Sequence, residues 1–111
     1  MTENANVAGE KDAYVFDFAH ESKASLWALE VLMVRPDSLE VTLDGAQALL
    51  FKREDIQRVV PTRRVELDAV VSSPPGSSLD EKVVKVVEAA GCVATRPEDA
   101  PGRLEAILKV R

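Results

Sequence analysis

His20 is the chain's single histidine, the residue type that most often serves as acid or base, and Asp17 and Glu21 stand close enough in sequence to begin a carboxylate–histidine pair. A metal or acid–base site needs more partners than that. There is no second histidine, no cysteine pair and no dense acidic loop to complete a ligand set. His20 is therefore read as a solvent-facing residue near a strand end. A serine or cysteine nucleophile would need a recognisable turn around it, and no G-x-S-x-G frame occurs. The 19 carboxylates make some close pair inevitable, so paired-carboxylate chemistry does not follow from their number. Glu54-Asp55 and Asp80-Glu81 are read as surface-turn and helix-start residues. The expectation is a protein that is not an enzyme, with no catalytic residue, no metal site and no cofactor.

Two other patterns bear on binding. Residues 72–78 form a Ser/Pro/Gly loop between a strand and a helix, the place where phosphate loops sit. The loop has one glycine and no lysine, and Asp80 and Glu81 already occupy the positive end of the helix, so a flexible connector is the better reading. The second pattern is charge. Lys52, Arg53, Arg58, Arg63 and Arg64 fall in a stretch with only Glu54 and Asp55 as acids, inside a chain of formal net charge −5. These five are the candidate partner-binding residues, against the plainer account of arginines paired with Glu66 and Asp68. No aromatic stacking residue lies beside them, which weighs against single-stranded nucleic acid.

What positions these residues is one domain's worth of chain. The 111 residues are 46% hydrophobic and 30% charged, an ordinary globular balance with an aliphatic core. One cysteine forms no internal disulfide, which suits a reducing cytosol, and Cys92 itself reads as a small buried thiol. Residues 1–12 lack the basic start and apolar stretch of a signal peptide and are expected as a disordered tail. No apolar run is long enough to span a bilayer. A cytoplasmic location is expected.

Residues 13–61 read as a β-meander half. Residues 13–18 are a strand candidate, and residues 26–34 run almost wholly apolar into Arg35-Pro36-Asp37-Ser38. A helix over residues 22–33 is the alternative for that run. Residues 39–43 stop at Asp44-Gly45, a hairpin signal, and residues 46–51 follow. Residues 52–57 suit a single helical turn, and residues 58–61 return to extended chain. Over about a third of the chain this order resembles the closing half of SH3-like small barrels; the resemblance implies a fold and no function.

Residues 62–111 read as a strand–helix–strand–strand half. Residues 64–71 alternate as a half-buried strand. Ser78 and Glu81 fit a capping box, and Leu79, Val83, Val86, Val87 and Ala90 repeat at helical spacing up to Gly91, a left-handed helix end. Residues 93–96 and 104–110 are expected as strands around a turn-rich 97–102. The expected fold is α+β, with a mainly antiparallel sheet and one principal helix over residues 79–90. One helix leaves a sheet face or edge in need of cover, which points to a protein-interaction or regulatory module whose partner is another protein or a second copy. A small-molecule-sensing domain and polyanion binding through residues 52–64 are the alternatives.

Overall fold

A computed structural model describes residues 2–74 and 80–110. The fold is α+β: a five-stranded mixed sheet whose spatial order, β1-β2-β3-β4-β5, is also the order of the chain. The strands are β1 (Thr2–Ala8), β2 (Ala13–Glu21), β3 (Ser25–Met33), β4 (Arg64–Ser72) and β5 (Val93–Thr95). The helices are α1 (Leu39–Val59), α2 (Asp80–Ala89) and α3 (Ala100–Val110). β1 to β3 pair antiparallel, whereas β3–β4 and β4–β5 are parallel.

The largest correction concerns residues 39–51, expected as two meander strands and found within α1. Thr42, Ala46, Leu49 and Ile56 are buried along it at helical spacing, so one stripe packs on the sheet where two strands could not. The Asp44-Gly45 pair is a local turn signal overridden by that packing. With residues 39–59 helical, β3 reaches β4 through a crossover and must run parallel to it. The sheet is thus mixed rather than mainly antiparallel, and it is open: the SH3-like barrel is not formed. Residues 58–61, expected as extended chain, are the helix end and the turn after it. A methyl group at Gly45 would sit 3.5 Å from Leu32 Cδ2, an ordinary contact. Gly45→Ala is therefore expected to raise stability by about 0.5–1 kcal/mol, read from denaturant unfolding, because the glycine only adds chain entropy to the unfolded state.

Two further segments differ. Residues 2–8, inside the expected tail, pair along β2 and bury Ala5 and Val7. Residues 104–110, expected as a strand, lie in α3, which follows a 3-10 turn at Pro97–Asp99. Proline in the opening of a helix costs little, so Pro101 marks a start there rather than a loop. The helix expected over residues 79–90 is present as α2, but it is not the principal one: α1 is the long helix, and α3 makes a third among the described residues. Ser78 and Leu79 lie outside the described residues, as does most of the 72–78 loop. Gly91 has φ +77°, the left-handed helix end expected of it. No described helix is long and apolar enough to cross a membrane.

The core has two layers. α1 and α2 share one face of the sheet over Phe16, Leu26, Ala28, Leu67 and Val71, while α3 covers Trp27, Leu29 and Val70 on the other through Ile107. β2 serves both layers by changing face. Phe16 packs toward α1, yet Phe18 packs on the α3 side. Between them Asp17 leaves the ladder: its Oδ2 accepts the Val31 N–H at 2.7 Å, and across from it Asn4 takes φ +47°. Asparagine tolerates that conformation better than most residues. The β1–β2 hairpin curls from there over α1. Lys52 lies under it, 5.9 Å from the Tyr14 ring centre, 5.8 Å from that of Phe16, and 2.9 Å from Glu30.

Candidate functional site

β4 is the longest-paired strand of the parallel part, and its two sides are unequally covered. All nine of its residues pair with β3, but β5 pairs only with Asp68, Ala69 and Val70. The stretch over residues 64–66 is therefore an open edge inside the fold; Leu67 already gives its C=O to the ladder with Val93. Arg64 donates its N–H to Ala24 C=O at 2.9 Å, on the β3 side. Backbone groups alternate sides along a strand, so Val65 and Leu67 turn their N–H groups toward the open side. A groove of about 480 Å³ runs along this edge, lined by four consecutive β4 residues, Arg64, Val65, Glu66 and Leu67.

The groove has two unlike walls. From α1, Arg53 and Gln57 stand on one side. Gln57 Nε2 donates to Val60 C=O at 2.9 Å and to Arg63 C=O at 2.7 Å, bracing the turn that carries the chain from α1 into β4. Arg53 Nη1 donates to Gly91 C=O at 3.0 Å. Gly91 is needed there twice over, since its φ is left-handed and a Cβ would collide with the Arg53 guanidinium. On the other side Arg103 of α3 holds Asp68, with Nε 2.7 Å from Oδ2 and Nη2 3.4 Å from Oδ1. Arg64 Nε sits 2.8 Å from Glu66 Oε1.

Charge on the two walls differs as well. Arg64 and Arg103 are each matched by a carboxylate, whereas Arg53 meets a carbonyl and, among the described residues, no carboxylate. The hydrogen bond to Asp68 raises the Arg103 pKa further, so that guanidinium is permanently charged. Cys92 lies near Arg53, but burial pushes the thiol up, with Asp68 adding to this and Arg53 opposing it, so it stays protonated. A guanidinium such as that of Arg53 has the geometry to pair with a carboxylate, and backbone N–H groups at a strand edge can donate to a carbonyl.

Of the five candidates read from the sequence, two meet here, Arg53 and Arg64. Lys52 turns to Glu30 beneath the hairpin. Arg58 faces Glu10 and Asp55, each at 3.8 Å, and Arg63 faces Glu21 at 3.7 Å. Helical spacing on α1 explains the division: Lys52, Arg53 and Arg58 leave the helix in different directions. The account of arginines paired with nearby acids holds for Arg64 with Glu66, but Asp68 takes Arg103 instead. Gln57, Gly91 and Arg103 were not singled out as site residues. Arg103 carried no local signal, because the Pro/Gly-rich chain before it reads as loop. Among the described residues no group of three or more His, Cys, Asp or Glu side chains is placed to hold a metal ion. Searches against protein families, curated proteins and solved structures find no match, so the groove is read on its own chemistry.

Proposed function

We propose that this chain is a non-catalytic interaction module that engages an acidic protein surface through the groove beside β4. The observation carrying this reading is a strand edge lining a groove, beside a guanidinium, Arg53, that no carboxylate among the described residues matches. Opposite potentials steer and orient partners more than they add raw affinity, so one unmatched cation beside hydrogen-bonding backbone is enough to set specificity. Generic polyanion binding is less well supported, because the basic residues of 52–64 diverge over the surface and do not form one stripe. A second copy of the chain is the other candidate partner, since Val15, Val31 and Met33 are exposed apolar residues of the strands.

Affinity capture from nuclease-treated source lysate, with wild type beside Arg53→Glu, tests the proposal; sedimentation of the purified protein covers self-association. A protein retained by wild type and lost from the variant is expected, with circular dichroism showing the variant folded. Empty capture by both, from a protein that sediments as a monomer, overturns the reading.

A further inference from the structure

We infer that the partner enters the groove as an extended acidic segment, added to β4 as a short strand in line with β5. This inference rests on the reading above and names the form of the partner. The open edge spans residues 64–66 and the Leu67 N–H, about 10 Å of strand at the usual rise. Such an edge offers N–H donors alternating with C=O acceptors, and a peptide backbone complements both. A phosphate backbone, all acceptors, complements only the donors. The fold leaves the edge uncovered while walling it on both sides, by α1 and by α3, so the only geometry that fits lengthwise is a chain lying along β4.

The walls then dictate a sequence pattern. Alternate side chains of an added strand point to opposite faces of the sheet. One set meets Arg53 and Gln57, and the other meets Arg64–Glu66 and Arg103–Asp68, where charge is already balanced. Gln57 has already given its amide N–H groups to Val60 and Arg63, so one carboxylate belongs in the first set, opposite Arg53, and neutral residues in the second. The entering segment is thus read by the place of that one acidic residue, not by total negative charge.

The test is titration of the isotope-labelled full chain with acetyl-Thr-Glu-Thr-Glu-Thr-Glu-amide, followed by NMR. Saturable shifts and slowed exchange of the Val65 and Leu67 amides are expected. Affinity should fall about tenfold when glutamine replaces the glutamates or when Arg53→Ala is used, as loss of a charge-assisted hydrogen bond implies. Two further peptides carry N-methyl groups on one or the other alternate set of residues. One of them, the set whose N–H groups face β4, should lose binding while the other keeps it. Equal binding by both methylated peptides, or no shift at Val65 and Leu67 with the parent peptide, overturns strand addition. The lysate capture then decides separately whether the groove still binds an acidic protein surface.

Discussion

Asp55→Ala is expected to lower the midpoint of thermal unfolding by on the order of 10 °C, the cost of leaving two part-buried donors, the Tyr14 hydroxyl and the Lys11 N–H, without their acceptor in a domain of this size. Asp55 is wholly buried on α1 and serves as the clasp for the β1–β2 hairpin. Its Oδ2 accepts the Tyr14 hydroxyl at 2.7 Å, both oxygens lie 3.1 Å from the Lys11 N–H, and its own C=O accepts the Glu10 N–H at 3.2 Å. Gly9 passes so close that a Cβ there would collide with the carboxylate. Burial pushes the Asp55 pKa up, but the Tyr14 hydroxyl, the Lys11 and Asp12 amides and Arg58 outweigh it and hold the group below its ordinary value. A depressed carboxylate contributes stability above its unfolded value and loses it as pH falls through the folded one.

Tyr14 gives the opposite limb. Burial, and next the Asp55 carboxylate, push its pKa from 10.0 up to about 12. The neutral phenol is the form the fold holds, so the contribution is complete below pH 10 and is lost as pH rises toward 12. Tyr14→Phe removes this alkaline limb while keeping the ring beside Lys52. Thermal melts of wild type, Asp55→Ala and Tyr14→Phe from acid to alkaline pH measure all three effects. An Asp55→Ala protein that melts with wild type, or a Tyr14 that titrates at its ordinary value, would sink the clasp.

The second large effect is at the other layer. Arg103→Met should cost about 3 kcal/mol, because it strands the wholly buried Asp68 carboxylate, and its measure is denaturant unfolding. Arg103 is partly exposed, so removing its partner is cheaper: Asp68→Asn leaves an amide oxygen for Nε and lets the guanidinium turn to water. The double variant Asp68→Asn/Arg103→Met is expected to be more stable than Arg103→Met alone, by at least about 1 kcal/mol, since no charge is left buried. If the two single changes simply add, the pair is not what fastens α3 to β4.

What the sequence disclosed follows the reach of each signal. β4, the inward face of α2 and the Gly91 end were legible because alternation, helical spacing and a left-handed glycine are local. β3 was legible as a strand over residues 26–33, although its two-sided burial, not the turn at Pro36, is what makes it one. α1 was not legible. Its apolar residues sit in two short runs divided by Asp44-Gly45, and its buried polar residues, Thr42 and Asp55, have partners far away in Met33 C=O, Tyr14 and Lys11. The polar look of β1 hid an edge strand that buries only Ala5 and Val7 on its described side chains. Half of the candidate groove was visible as a basic stretch beside a strand. The other wall comes from α3 and the floor from a mismatch in strand length, and neither leaves a mark on neighbouring residues.

Because the order of strands across the sheet is the order of the chain, the sheet can be laid down in the direction of synthesis. Each strand that leaves the ribosome finds its template already in place, and none has to be wedged between two earlier ones. β2 docks on β1 and β3 on β2, and each crossover helix packs on both the strand before it and the strand that follows it. β1 is one edge throughout, and the growing edge is always the newest strand. That edge ends on β5, three residues long, which offers little for another chain to pair with.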